Sequence, residues 1–159
     1  MSEILDLINS LGSYNINSDE TGNIRAFSGA VHSVGDILGE YGFSKNILLV
    51  ADNNTLKLAE GIMESLKKYR ISYLIYRDFE QATIDHVFEI ERYIMGKDIS
   101  VLSVGAGAIA VACTVAVSHQ KKKLCVFALP FRGEHICSDD LHLEDAVMPD
   151  VVIADTHIV

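Results

Sequence analysis

The sequence predicts an α/β domain built on an open, mostly parallel sheet with helices on both faces. Three observations carry that expectation. Short runs such as Asn46-Ile47-Leu48-Leu49-Val50-Ala51 recur along the chain and are too uniformly apolar for strands with one wet face. Segments with helical spacing separate these runs. Each separation is long enough for a right-handed crossover between parallel strands.

Taken in order, a strand is expected at 24–27, leading into a helix over 31–41. After the strand at 46–51, Thr55 to Lys68 places Leu56, Ala59, Ile62, Met63 and Leu66 on one stripe, with Asn54 or Thr55 as its N-cap. Ile71 to Tyr76 reads as the next strand. Ala82 to Met95 follows as a helix, with Ile84, Val87, Phe88, Glu91 and Met95 at helical spacing and Gly96 at its stop. A strand at 99–104, a helix at 107–118 and strands at 124–128 and 151–154 complete the pattern. The first 23 residues stand apart. Ile4, Leu5, Leu7, Ile8 and Leu11 suggest an amphipathic helix and Gly12 to Gly22 a polar linker, so the domain proper spans 24–159.

Composition narrows the class. Apolar residues make up 49% and charged residues 22%, a balance that permits a real core and argues against disorder. The net charge of −9 disfavours nucleic acid and anionic membrane as partners, and Lys121-Lys122-Lys123 reads as a solvated loop. Cys113, Cys125 and Cys137 form no C-x-x-C pair, and the first two sit in apolar runs as small core residues. MSEILDLINSLG carries acids and no basic stretch, so it is not expected to be a secretory leader, and no apolar run reaches membrane length. A reducing, cytoplasmic setting is the expectation.

Three segments could carry chemistry. Val50-Ala51-Asp52-Asn53-Asn54-Thr55 ends a strand where open α/β sheets bind ligands. Asp52 there either accepts hydrogen bonds from ribose hydroxyls or simply ends the strand while Asn54 or Thr55 caps a helix. Ser103-Val104-Gly105-Ala106-Gly107-Ala108-Ile109 places Gly-x-Gly between a strand and a helix. Such glycines let the backbone approach a pyrophosphate beside the helix N-terminus, or serve only a tight packed turn. Leu129-Pro130-Phe131-Arg132-Gly133-Glu134-His135-Ile136-Cys137-Ser138 follows another strand at the same end. Glu134 and His135 are adjacent and point apart in an extended segment, so this stretch reads as a solvated acidic loop and no metal ligands are expected. His32, His86, His119 and His157 show no grouping. No nucleophile elbow, Walker loop or Cys-His signature is present.

Four pieces in order resemble a known family: Gly29-Ala30-Val31 with the helix to Gly42, Val50 to Thr55, Val104-Gly105-Ala106-Gly107-Ala108-Ile109, and Ala146 to Val159, AVMPDVVIADTHIV. They look like the Rossmann-like N-terminal cofactor domain of the sn-glycerol-1-phosphate dehydrogenase family. That family belongs to the wider group of iron-type alcohol dehydrogenases, glycerol dehydrogenase and dehydroquinate synthase. The resemblance implies an oxidoreductase that uses NAD or NADP, with a divalent metal, to reduce dihydroxyacetone phosphate. It places Asp52 at the adenine-side ribose and Gly105, Ala106, Gly107, Ala108 and Ile109 at the pyrophosphate. Leu129, Pro130, Phe131, Arg132 and Ser138 fall near the cofactor, and Glu134 on the substrate side.

The chain also departs from the family. Where the family carries T-I-N-D and then a lysine after the glycine turn, this chain has Ala108, Ile109, Ala110, Val111 and Thr114. T-A-P-S-M-D-G becomes Leu-Pro-Phe-Arg-Gly-Glu-His. The family's metal ligands lie in a C-terminal domain beyond the match, so no catalytic or metal-binding residue is assigned within these 159 residues, and the chain alone is expected to be inactive. The alternative is a non-enzymatic interaction or ligand-sensing module that kept the fold. A homodimer, or association with a C-terminal metal domain, is expected to cover exposed apolar surface.

Overall fold

The computed structural model describes residues 23–58, 60–105, 107–128, 141 and 146–157, so the helix and linker expected over 1–22 lie outside it. The chain runs through β1 (Ile24–Phe27), a 3-10 turn (Ala30–Ser33), α1 (Val34–Glu40), β2 (Asn46–Asp52), α2 (Asn53–Leu58) and α3 (Gly61–Ser65). It continues through β3 (Arg70–Tyr76), α4 (Ile84–Ile94), β4 (Ser100–Val104), α5 (Ala108–Gln120), β5 (Leu124–Ala128) and β6 (Val151–Asp155). The six strands form one sheet in the order β1-β6-β5-β4-β2-β3, and every pairing is parallel.

The uniform apolarity of the strands has a direct cause. Successive side chains point to opposite faces, and both faces are covered. Leu48, Val50, Val101 and Val126 pack with α4 and α5, while Ile47, Leu49, Leu102, Cys125 and Phe127 pack with α1 and α3. Phe127 is fully buried, a placement worth about 1.5–3 kcal/mol relative to exposure.

Two helices differ from the sequence expectation. The helix expected over 55–68 is two pieces, α2 and α3. Gly61 opens the second, and a Cβ there would sit 3.1 Å from the His32 ring and 3.3 Å from Val31, so glycine lets α3 pack close against the 3-10 turn. On α4 the buried positions are Val87, Ile90, Glu91 and Ile94, whereas Phe88 and Met95 are exposed. The true stripe is centred one position away from the expected one because Ile90 and Ile94, rather than Phe88 and Met95, meet α5.

Helix α5 is buried at every position from Ala108 to Val117, wedged between the sheet and α4. A helix apolar all round belongs in a core. Thr114 is tolerated there because its hydroxyl donates to the Ala110 carbonyl at 2.6 Å. Lys121, in the left-handed conformation at φ 54°, ends the helix.

Candidate functional site

The chain order reverses between β2 and β4. From β2 the chain crosses one face through α2 and α3 to β3; from β4 it crosses the other face through α5 to β5. The two exits diverge at the carboxyl ends of β2 and β4, and it is at such a switch point that open parallel sheets form the crevice that binds ligands.

On the β2 side stand Asp52 and Thr55. One Asp52 carboxylate oxygen, Oδ1, accepts the Thr55 N–H at 2.8 Å, and the Thr55 hydroxyl accepts the Asp52 N–H at 3.1 Å. Asp52 is therefore itself the cap of α2, and the expectation of Asn54 or Thr55 in that role is corrected. The reason is that the helix begins at Asn53, two residues earlier than the apolar stripe indicates. No described residue hydrogen-bonds Asp52 Oδ2.

On the β4 side, Gly105 adopts φ +130°, a region closed to side chains, and donates its N–H to the Phe127 carbonyl at 2.8 Å. A Cβ on Gly105 would stand 3.4 Å from Thr55 Cγ2, which places the two turns side by side at this edge of the sheet. Gly107 precedes α5, whose first turn has no side-chain cap and no acid. The N–H groups that open a helix have no partner within it, and they carry the positive end of its dipole. Ala108 and Ile109 bury their side chains, so these two positions meet the crevice through backbone.

Two residues that the sequence reading did not single out hold this edge together. Buried Ser103 donates from its hydroxyl to the Gly105 carbonyl at 3.1 Å and hydrogen-bonds Cys113, fixing the turn from beneath. Asp155, at the end of β6, accepts N–H groups from Gly29 at 3.0 Å, Val31 at 2.9 Å and His157 at 2.9 Å. Burial raises its carboxyl, but the hydrogen bonds from Val31, His157 and Gly29 outweigh it and hold the group below its usual value. These bonds join two of the four sequence pieces, Gly29-Ala30-Val31 and the segment ending in ADTHIV. A serine two residues before the glycine turn, and an aspartate ending an apolar run, were the available signals.

Of the expected site residues, Asp52, Gly105, Gly107, Ala108 and Ile109 come together at the crevice. Ala106, Leu129, Pro130, Phe131, Arg132, Glu134 and Ser138 lie outside the described residues, although β5 delivers the chain to the same edge at Ala128. Among the described residues no three His, Cys, Asp or Glu side chains converge as a metal site, and no helix is long and apolar enough to cross a membrane. Cys113 and Cys125 are buried thiols; burial pushes Cys113 up to about 12 and Cys125 well above its ordinary range.

These features define a Rossmann-like α/β domain. The structure is similar to glycerol dehydrogenase from Schizosaccharomyces pombe (TM-score 0.64, 11% identity, covering 86% of this chain and 37% of that one). It is similar also to maleylacetate reductase from Agrobacterium tumefaciens (TM-score 0.66, 14% identity, 86% and 41%). A third similar structure is 2-deoxy-scyllo-inosose synthase complexed with carbaglucose-6-phosphate, NAD+ and Co2+ (TM-score 0.62, 14% identity, 86% and 43%). The chain thus spans about two fifths of the length of these proteins. No protein-family model and no curated protein sequence matches it.

Proposed function

We propose that the crevice between β2 and β4 holds a dinucleotide, NAD or NADP, in a domain of the sn-glycerol-1-phosphate dehydrogenase kind. The observation that carries this reading is the juxtaposition of the positive-φ Gly105 turn and uncapped α5 with Asp52 and Thr55. The backbone of Gly105 to Ile109 receives the pyrophosphate, and Asp52 Oδ2 accepts a ribose hydroxyl. A 2′-phosphate would face that carboxylate, so NAD is favoured over NADP. Leu129 to Arg132 and Ser138 complete the cofactor side and Glu134 meets substrate, as the sequence resemblance implies. The bound nucleotide would supply or accept hydride; these residues hold and orient it.

Calorimetric titration of the chain with NAD, NADP and ADP-ribose tests the proposal. NAD and ADP-ribose are expected to bind, and NADP more weakly. The family's metal donors fall outside these residues, so the chain assayed alone with dihydroxyacetone phosphate and a divalent metal is expected to leave NAD(P)H unoxidised. A non-enzymatic interaction or ligand-sensing module is the second reading. It is supported by the burial of all ten side chains from Ala108 to Val117, which leaves that helix only backbone to offer a ligand. Silence with all three nucleotides would favour it.

A further inference from the structure

The sheet ends at β3, and no described strand lies beyond it. Arg70 donates its N–H to the Lys45 carbonyl, on the β2 side. In a strand the N–H and C=O of one residue share a side and alternate along the chain. Ser72, Leu74 and Tyr76 therefore follow Arg70 toward β2, while Ile71, Tyr73 and Ile75 present their backbone groups to the open edge. None of the seven residues is buried.

Among the described residues this edge carries few of the devices that keep edges apart. The register against β2 runs unbroken from Arg70 to Tyr76, with no bulge, and the strand contains no Pro, Gly or Lys. Tyr73 on the strand is 48% exposed, and on α4, whose Glu89 accepts the Tyr76 hydroxyl, Phe88 is 50% and Tyr93 38% exposed. Its charges are also graded. Lys67, Lys68 and Arg70 are exposed at its start, Lys67 paired with Glu64; Asp78 and Glu80, with Arg77, are exposed past its end. Reversed on itself, the strand brings its basic start against its acidic finish.

We propose that two copies of this chain pair β3 with β3, antiparallel about a two-fold axis at Tyr73, into one continuous sheet. In that register Ile71 faces Ile75 of the second copy, Tyr73 faces Tyr73 and Ile75 faces Ile71. All three pairs carry outward backbone groups, so about six hydrogen bonds close the edge. Lys68 falls opposite Asp78 at both ends. The interface is isologous, as a two-fold dimer requires. It lies at the sheet edge and is independent of nucleotide binding.

Sedimentation equilibrium of the full chain over a range of concentrations tests this. A mass of about twice 17.5 kDa is expected. Tyr73→Lys sets two ammonium groups together on the axis and is expected to give a monomer with an unchanged circular dichroism spectrum. Asp78→Lys lies outside the strand and carries the test should Tyr73→Lys unfold. It is expected to weaken the dimer about tenfold at low salt, and Lys68→Asp in the same chain is expected to restore it. A wild-type chain that is monomeric throughout, or a dimer that neither Tyr73→Lys nor Asp78→Lys weakens, would overturn the proposal.

Discussion

Replacing Asp155 by asparagine isolates the charge that ties the two ends of the described chain together. The carboxylate accepts Gly29 and His157 N–H groups at Oδ1 and the Val31 N–H at Oδ2. Asparagine can keep the Oδ1 pair as ordinary hydrogen bonds, but its amide then faces the buried Val31 N–H, donor against donor. Hydrogen bonds to a charged acceptor are worth about 1.5–3 kcal/mol each, and an unsatisfied buried donor costs about 1–3 kcal/mol. A net loss of about 2–3 kcal/mol follows, since the two retained bonds offset part of it. For a domain of this size that lowers Tm by about 4–12 °C. The pH dependence adds a sharper test. The folded-state value of Asp155 is depressed, so its contribution is complete above the unfolded value of 3.8 and fades as pH falls through the folded value. Urea titrations should show the largest gap between wild type and Asp155→Asn at pH 7, closing as the solution is acidified below about pH 4. A penalty under about 0.5 kcal/mol at pH 7, or one unchanged by acidification, would refute this account of the residue.

Two further outcomes test the packing of the helices. A Cβ at Gly35 would lie 2.0 Å from the Ser65 carbonyl oxygen, so Gly35→Ala must push α1 from α3 and is expected to cost about 1–3 kcal/mol in urea unfolding. Its disruption of the Tyr69 hydroxyl bond to the Gly35 carbonyl at 2.6 Å should also show as a changed tyrosine emission. At the start of α4, Thr83 and His86 cap each other, with His86 Nδ1 accepting the Thr83 N–H at 3.1 Å. Burial, opposed by Glu89 and Asp85, lowers the His86 value, so its contribution is complete above about pH 6.5 and declines as pH falls through the folded value. His86→Gln is expected to flatten that part of the stability profile.

The strands were legible because burial on both faces writes itself into consecutive apolar residues, as Ile47 to Ala51 and Val151 to Ala154 demonstrate. The same rule hides a strand's place in the sheet: Ile71 to Tyr76 reads simply as the next strand, and that it forms the edge is not written in it. The stripe of α4 was misplaced because Phe88 and Met95 fit a helical period almost as well as Ile90 and Ile94, and only the position of α5 decides between them. The glycine turn and Asp52 were legible as a pair of strand ends, but that they face each other depends on sheet order, which local pattern does not encode. Asp155 was illegible for a related reason, since its partners Gly29 and Val31 are 126 and 124 residues away.

That separation also sets the order in which the molecule can be completed. Of the described strands β1 emerges first during synthesis, while its neighbour β6 and the carboxylate that clasps its turn emerge after the other five. At roughly 5–20 residues per second, the interval is on the order of 6–25 s. Until then the β5 side of the sheet has no closing strand, and β1 has nothing in the described fold to pair with. A ribosome-bound nascent chain halted before Val151 should therefore already carry the β2-β3 and β2-β4 pairings, with β1 still open to a protease. The clasp at Asp155 thus forms late: β1 joins the described sheet only when β6 has arrived.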